Sequence, residues 1–304
     1  MDLAIIIVSW NTREILRHCL QSVFGSQTTK KFKVWVVDNG SSDGTGQMIK
    51  EFFSQIQIIS NDDNVGFAHA NNQAIMDSSG DYVMLLNPDT VVEKDVIETL
   101  VNFLEKYPDI GAVGPRLLNP DGTLQESAYP EPTLAREFWR LFHLDRFYYY
   151  AKYPMDEWSL IDARDVDVLM GACLLVRRKT LDQVGLLDDN FFVYSEEVDL
   201  CTRIREYGWR ISWVPTAVVL HLGGQSTKQI QQEMFLQLYQ GKIQYFRKHH
   251  TLLEVWLYKL VLFFAALARL ALTPFAFFEQ SPQKKEHLEL SSNYRRLLWS
   301  LPGL

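Results

Sequence analysis

The first 115 residues alternate between two hydrophobic periods. Short runs rich in Val and Ile, namely Leu3–Trp10, Lys33–Asp38, Ile56–Ser60, Tyr82–Leu86 and Gly111–Gly114, read as buried strands because they are brief and continuous. Between them, residues 12–24, 45–53, 68–77 and 94–107 carry apolar side chains at helical spacing, as in Ile15, Leu16, Cys19, Leu20 and Val23. Asn11-Thr12 and Thr90 are read as starts of the helices that follow. This alternation predicts an α/β fold with a mostly parallel twisted sheet flanked by helices. In such sheets, ligands bind beyond the carboxyl ends of the strands.

The connections at those carboxyl ends are the polar ones. Ser9-Trp10-Asn11 closes the first strand, and Asp38-Asn39-Gly40-Ser41-Ser42-Asp43-Gly44-Thr45 the second. The third leads into Asn61-Asp62-Asp63-Asn64-Val65-Gly66-Phe67, and the fourth into Asn87-Pro88-Asp89-Thr90. Four acid- and amide-rich loops thus converge on one rim. Beyond residue 115 the pattern loosens. Asp121-Gly122 between apolar flanks predicts a hairpin turn within Leu117–Leu124. Residues 128–165 read as a long loop with a short helix near Leu134–Phe142. Val166–Val176 and Ile211–Leu220 read as strands, with a helix at about 198–207 between them.

The sharpest shift in pattern comes at residues 252–278, nearly all apolar but broken by Glu254, Lys259, Arg269 and Pro274. The uninterrupted stretch Leu260 to Ala268 makes only ~14 Å of helix at ~1.5 Å per residue, against the ~30 Å of a bilayer core. Three readings stay open: an in-plane membrane anchor, packing against a partner or the main domain, and a span whose Lys259 and Arg269 snorkel. The expected division is a domain over 1–250, with halves 1–115 and 116–250, and a C-terminal apolar helical extension over 251–304.

Composition narrows the function. With 304 residues, 47% of them hydrophobic, the chain can bury one large core plus an appendage. A formal charge of −7 argues against nucleic acid as a partner. The basic runs Arg247-Lys248-His249-His250 and Lys284-Lys285 suit either a solvated helix face or a membrane surface. Cys19, Cys173 and Cys201 show no CxxC spacing, which fits a reducing cytosol and suggests neither disulfides nor zinc. Asp2 and the short run Leu3 to Val8 do not form a signal peptide.

Several positions carry chemistry, each with a plainer alternative. Asp38 at a strand end can accept the imide N–H of uracil or thymine, or it belongs to an ordinary tight turn. Asn87-Pro88-Asp89 can present a carboxylate to Mg²⁺ or Mn²⁺, or simply turn the chain. Glu196, Glu197 and Asp199 enter the first turn of a helix, where acids favour the dipole. Glu197 there can also serve as a general base beside Phe191, Phe192 and Tyr194. His221, ahead of Leu222-Gly223-Gly224, can complete a metal site with Asp89 or act as a structural hydrogen-bonder.

Taken in order, these segments resemble the family 2 glycosyltransferases over roughly residues 3–250, in particular their bacterial rhamnosyltransferase-like branch. The resemblance implies a GT-A fold and a nucleotide diphospho-sugar donor, carrying dTDP or UDP. It further implies a Mg²⁺ or Mn²⁺ cofactor and inversion at the anomeric carbon. Ser9, Asp38, Asn64, Gly66, Asn87 and Asp89 fall at its donor-binding positions, Asp89 and His221 at its metal site. Asn87 stands where the family has its first DXD acid. Gly171 and Glu196 fall on the acceptor side, and Glu197 takes the place of the catalytic Asp. The acceptor implied is a glycan or lipid-linked glycan used in bacterial surface polysaccharide synthesis. The chain is then expected on the cytoplasmic face of the inner membrane, attached through residues 252–278.

The residues bear on three rival classes. A nicotinamide-dependent oxidoreductase is disfavoured because no GxGxxG follows the first strand, and a P-loop enzyme because no GxxxxGK[ST] occurs. A non-catalytic, membrane-docked sugar-nucleotide-binding subunit is the alternative that the changes at Asn87 and Glu197 leave standing.

Overall fold

Five consecutive aliphatic residues, Leu3 to Ile7, are wholly buried and form a strand covered on both faces. In this computed structural model, which describes residues 2–225, 227–277 and 283–304 (side chains excepting 227–228, 272–277 and 283–288), that strand is β1 (Leu3–Ser9). There follow α1 (Arg13–Phe24), β2 (Phe32–Asn39), α2 (Thr45–Phe52), β3 (Gln57–Asn61), α3 (Phe67–Asp77) and β4 (Tyr82–Leu86). Next come β5 (Thr90–Val92), α4 (Val96–Lys106), β6 (Ile110–Leu118), β7 (Leu124–Gln125), β8 (Ala128–Tyr129) and α5 (Leu134–Leu141). The remainder is β9 (Arg164–Asp165), β10 (Val168–Leu169), β11 (Cys173–Arg177), α6 (Arg178–Val184), α7 (Glu196–Glu206), β12 (Arg210–His221), α8 (Gln231–His249), α9 (Leu252–Phe277) and α10 (Gln283–Ser300).

The chain divides into one unit of Met1–Glu131 with Tyr153–Gln229 and another of Pro132–Lys152 with Ile230–Leu304. The first unit is built on a mixed, mostly parallel sheet in the order β3-β2-β1-β4-β11-β6-β12-β5. Alternate residues of β1 enter opposite cores: Leu3, Ile5 and Ile7 pack with α1, α2 and α4, whereas Ala4, Ile6 and Val8 pack with α3 and α7. The period of two along a strand buried on both sides accounts for its unbroken apolar run.

Strand direction places the site. β1 pairs in parallel with β2 and β4, and β2 with β3. β11 is antiparallel to both β4 and β6, so β6 runs with β4, and β12 runs parallel to β6. The carboxyl ends of β1, β2, β3, β4 and β12 therefore lie along one edge, together with the amino ends of β11 and β5.

Two expectations need correction, and one helix had no counterpart in the sequence pattern. Thr90 begins a strand rather than a helix: the β-branched trio Thr90-Val91-Val92 pairs with β12, and α4 starts after Asp95. Val166–Val176 is not one strand. It breaks after β10, which pairs with β8 in a separate two-stranded sheet, and Met170 N–H turns to Ser127 O. Helix α6 gave no periodic signal; it is fixed instead by Arg178, which donates to Gly80 O (2.7 Å) and Ser78 Oγ (2.8 Å). The Asp121-Gly122 hairpin joins β6 to β7 as expected, with Leu118 opposite Leu124.

The second unit is helical, consisting of α5, α8, α9 and α10. At its centre Glu137 is fully buried, held by Lys242 Nζ at 2.7 Å and Arg140 Nη1 at 2.8 Å. Tyr258 stacks on Phe246 beside it, with ring centroids 4.4 Å apart. Helix α9 buries Val255, Tyr258, Leu262, Ala265 and Ala266 but leaves Trp256, Leu260, Phe263, Phe264 and Leu267 exposed. Among the described residues no helix is long and apolar enough to cross a membrane. Of the apolar segment 252–278, residue 278 lies outside the described residues, as do the side chains of Lys284 and Lys285.

Candidate active site

Ser9, Asp38 and His221 end strands on the sheet edge just defined, Asn87 and Asp89 follow β4 there, and Gly171 precedes β11 there. Asn64, Gly66, Glu196 and Glu197 lie on the loops and helix starts beyond the strands. Ser9 and Asp38 are register partners at the ends of β1 and β2. Ser9 is fully buried and shares a hydrogen bond with Thr12 at 2.9 Å, while Asp38 Oδ1 accepts from Ser41 N at 3.1 Å. Asn11, in the left-handed region with φ 52°, ties the two loops: its Oδ1 accepts from Ser42 N at 2.8 Å.

An amide ladder extends this floor. Asn39 Nδ2 donates to Asn64 Oδ1 (2.8 Å), and Asn39 Oδ1 accepts from Asn61 Nδ2 (3.0 Å) and Val65 N (3.1 Å). Asn64 Oδ1 also accepts from Gly66 N at 3.0 Å, which sets the start of α3. Gly66 has φ +90°, and a Cβ there would come within 2.8 Å of Phe192 O. Phe67 N donates to that same carbonyl at 2.6 Å. Only glycine satisfies both the dihedral and the clearance.

The Phe192 loop delivers the acids. Tyr194 (φ 69°) and Ser195 (φ 72°) are consecutive non-glycine residues in the left-handed region, a strain of roughly 1–3 kcal/mol each that such sites concentrate. They aim the first turn of α7 inward, where Glu196 is buried. Burial, then the neighbouring charge of Glu197, pushes the Glu196 carboxyl well above the ordinary range. Burial likewise raises Glu197, against backbone hydrogen bonds that oppose it. Neither carboxyl's Oε2 has a hydrogen-bond partner among the described residues. A Cβ at Gly171 would lie 3.5 Å from Glu197 Cβ, at ordinary contact distance, so the segment before β11 packs beside this side chain. Asn87 N–H donates to Ala172 O at 2.9 Å, which fixes the β4 loop to the same segment.

Asp89 and His221 meet where β5 pairs with β12. Leu222 N–H donates to Asp89 O (2.9 Å), and His221 Nε2 lies 3.3 Å from Asp89 Oδ1, both side chains being buried. The neighbouring amides settle the histidine tautomer. Leu124 O can only accept, so the Asn119 atom facing it is Nδ2, 3.3 Å away. Asn119 Oδ1 then accepts from Gln125 Nε2 at 2.9 Å. Gln125 Oε1 in turn accepts from His221 Nδ1 at 2.7 Å. Nδ1 therefore carries a proton, and Nε2 is the ring nitrogen that faces Asp89. Nε2 makes no hydrogen bond among the described residues.

A carboxylate and an imidazole nitrogen converging in a buried place suit a divalent cation, which the neutral ring can ligate through Nε2. No set of three or more His, Cys, Asp or Glu ligands occurs among the described residues. Mg²⁺ and Mn²⁺ commonly take one or two protein ligands, with phosphate oxygens and water completing the shell. The consecutive left-handed glycines Gly223 (φ +70°) and Gly224 (φ +68°) follow directly. Ser226 lies outside the described residues.

The three cysteines are free and buried. Burial pushes the Cys19 and Cys173 thiols up to about 12, which leaves them inert. The sequence pattern gave no role to Asn39 or to Gln125, and it marked Phe192 as an aromatic beside Glu197 without showing that its carbonyl closes on Gly66 and Phe67. The signal for Gln125 was its polar side chain directly after the hairpin that joins β6 to β7.

Comparison with known proteins gives consistent matches. The family model described as glycosyl transferase family 2 matches residues 4–185. The chain is 31% identical to N-acetylglucosaminyl-diphospho-decaprenol L-rhamnosyltransferase of Mycobacterium tuberculosis, over 74% of this chain and 77% of that one. It is 29% identical to the low-salt glycan biosynthesis hexosyltransferase of Haloferax volcanii, over 72% of this chain and 67% of that one. In fold it resembles a Pyrobaculum calidifontis mannosyltransferase solved with GDP-Man and Mn²⁺ (TM-score 0.58, 18% identity, 99% of this chain and 84% of that one). It also resembles TarS 1-349 of S. aureus (TM-score 0.55, 15% identity, 100% of this chain and 92% of that one).

Proposed function

Because this chain belongs to glycosyl transferase family 2, and so is a glycosyltransferase of polysaccharide synthesis, we propose that it inverts the anomeric centre of a nucleotide diphospho-sugar in transferring the sugar to a lipid-linked glycan. The observation that carries this reading is the facing pair Asp89 and His221, 3.3 Å apart where β5 meets β12, on the sheet edge where Asp38 ends β2.

Asp38 takes the imide N–H of the base, with Ser9 beside it. Asn64, Gly66 and Asn87 line the donor side. Asp89 and His221 hold Mg²⁺ or Mn²⁺, which when bound offsets the negative charge growing on the diphosphate leaving group. Glu197 takes the proton of the acceptor hydroxyl as that oxygen attacks C1 from the face opposite the diphosphate. Its raised affinity for protons suits a base working near neutral pH. Gly171 and Glu196 shape the acceptor side.

The rhamnosyltransferase relative favours L-rhamnose or a related sugar as the group transferred, and its diphospho-decaprenol substrate favours a polyprenyl-linked acceptor. The exposed apolar face of α9 supports peripheral attachment at the cytoplasmic membrane surface. The test is nucleoside diphosphate release from a panel of nucleotide diphospho-sugars, with Mg²⁺ or Mn²⁺ and a lipid-linked acceptor. Donor binding without acceptor-dependent release would instead favour the non-catalytic binding subunit.

A further inference from the structure

Residues 185–195 join α6 to α7 without regular structure, and they decide where the first turn of α7, with Glu196 and Glu197, stands. The start of this segment is tied to α7 itself. Arg203 donates to Gly185 O (3.2 Å) and Leu186 O (2.7 Å), while its Nε donates to the buried Asp199 at 2.9 Å. The middle of the segment is tied instead to α3. That helix is the fixed partner, because Ala68, Ala70, Ala74 and Ile75 pack it into the core against Ala4, Ile6 and Val8 of β1. Its first turn follows directly on Asn64 and Gly66 of the donor side.

Asn72, buried in the middle of α3, is the point of attachment. Its Nδ2 donates to Leu187 O at 2.7 Å and its Oδ1 accepts from Leu187 N at 3.2 Å. One side chain thereby answers both backbone groups of one loop residue, which an amide can do and an alanine or a carboxylate cannot. Nδ2 also donates to Asp189 Oδ1 at 2.6 Å, and Asp189 Oδ2 lies 2.9 Å from His69 Nδ1, one turn earlier on α3. Further along, the bond from Phe67 N to Phe192 O adds a second stitch between the same two segments. Directly after it come Tyr194 and Ser195, both left-handed. Such conformations persist only where the surroundings over-determine them. If the stitches are cut, these two residues are free to relax, and the turn that carries Glu196 and Glu197 shifts with them.

We propose that Asn72 is a positioning residue for transfer: by stitching the loop before α7 to the donor-side helix, it sets where Glu197 stands relative to the donor, without touching either substrate. The inference rests on the reading of Glu197 as the base. It concerns the placement of that base, so the two can fail separately.

The experiment is a double-substitution cycle on the full chain. It is read as acceptor-dependent nucleoside diphosphate release from dTDP-rhamnose, or the UDP-sugar that the donor panel selects in its place, with Mn²⁺ and N-acetylglucosaminyl-diphospho-polyprenol. Asn72→Ala is expected to lower kcat roughly 100-fold, the cost of a displacement of about 1 Å imposed from outside the chemistry. The donor KM should not change, because α3 keeps its place on the sheet. In a Glu197→Gln background no base is left to misplace, and the same substitution should lower kcat by less than about 3-fold, since the two losses concern one group. Asp189→Ala, at an exposed position, cuts a single bond of the stitch. It is expected to lower kcat roughly 10-fold, the worth of one hydrogen bond to a charged group, and again to have little effect in the Glu197→Gln background. Thermal stabilisation by the donor with Mn²⁺ should persist in each variant, which reports an intact fold. If Asn72→Ala does not fold, Asp189→Ala decides alone, and an unaltered kcat in it overturns the proposal. Losses that multiply in full in the Glu197→Gln background would also overturn it, as would a raised donor KM at unaltered kcat, and Asn72 would then be a brace of the loop. An unaltered rate in Glu197→Gln itself would instead strike the base on which the inference rests, whatever Asn72→Ala does.

Discussion

Gln125 Oε1 stands 2.7 Å from His221 Nδ1, and this contact decides which ring nitrogen faces Asp89. Gln125 never approaches a reacting atom in this account; it acts by holding the imidazole in one tautomer and one orientation. Partners of this kind typically contribute 10–100-fold to metal affinity. Gln125→Ala is therefore expected to weaken Mn²⁺ binding in the presence of nucleoside diphosphate by roughly that factor. Titration of free Mn²⁺ by electron paramagnetic resonance measures it. Unchanged affinity would mean that the Asn119–Gln125–His221 relay only braces the hairpin.

The buried acid pair gives a pH signature. Burial and then the Glu197 charge raise the Glu196 carboxyl in the folded chain. A folded value above the unfolded one contributes stability that is fully present below the ordinary carboxyl range and is lost as pH rises through the raised value. The thermal midpoint should accordingly decline across that window. Glu196→Gln, which cannot ionise, should flatten the decline, matching the unaltered chain in acid and equalling or exceeding it near neutrality. The same change removes a neighbouring negative charge from Glu197, so the ascending limb of the rate profile should move to lower pH. Parallel midpoint profiles for the two proteins would contradict this reading of the pair.

The second unit carries its own test. Glu137 is fully buried, and its carboxyl is held below the usual range because the charges of Lys242 and Arg140 outweigh the cost of burial. Lys242→Met leaves that carboxylate with Arg140 and the weak hydrogen bond from Tyr258, and breaking a buried pair in this way costs about 3–5 kcal/mol. Urea unfolding should show a loss of that order, largely restored in Glu137→Gln/Lys242→Met, where no buried charge remains and Arg140, about one third exposed, stays hydrated. A loss below about 1 kcal/mol, the range of exposed pairs, would show that the cluster is already hydrated.

Much of this was legible in the chain, for physical reasons. β1 is buried on both faces, so its aliphatic run is continuous and could hardly be read otherwise. Asp38, Asp89 and His221 each end or follow such a run, and strand direction alone carries them to a common edge. The rest depended on contacts between distant residues. Thr90-Val91-Val92 looks like the approach to a helix until β12 is present to pair with it. The break at Met170-Gly171 exists because β10 joins β8 instead of the main sheet. Gln125 is unremarkable along the chain, since its role arises from Asn119 on one side and His221 on the other. The exposed face of α9 was visible as apolar composition, but which side is covered is decided by α5, α8 and α10.

The most direct test of the central claim is the substitution Glu197→Gln, which keeps the size and polarity of the side chain and removes its capacity to take a proton. The account predicts unaltered thermal stabilisation by the nucleotide diphospho-sugar with Mn²⁺, and acceptor-dependent release of nucleoside diphosphate slowed by roughly 10²–10⁴-fold, the usual share of a general base. Turnover at the unaltered rate, with donor binding intact, would contradict it and remove Glu197 from the chemistry.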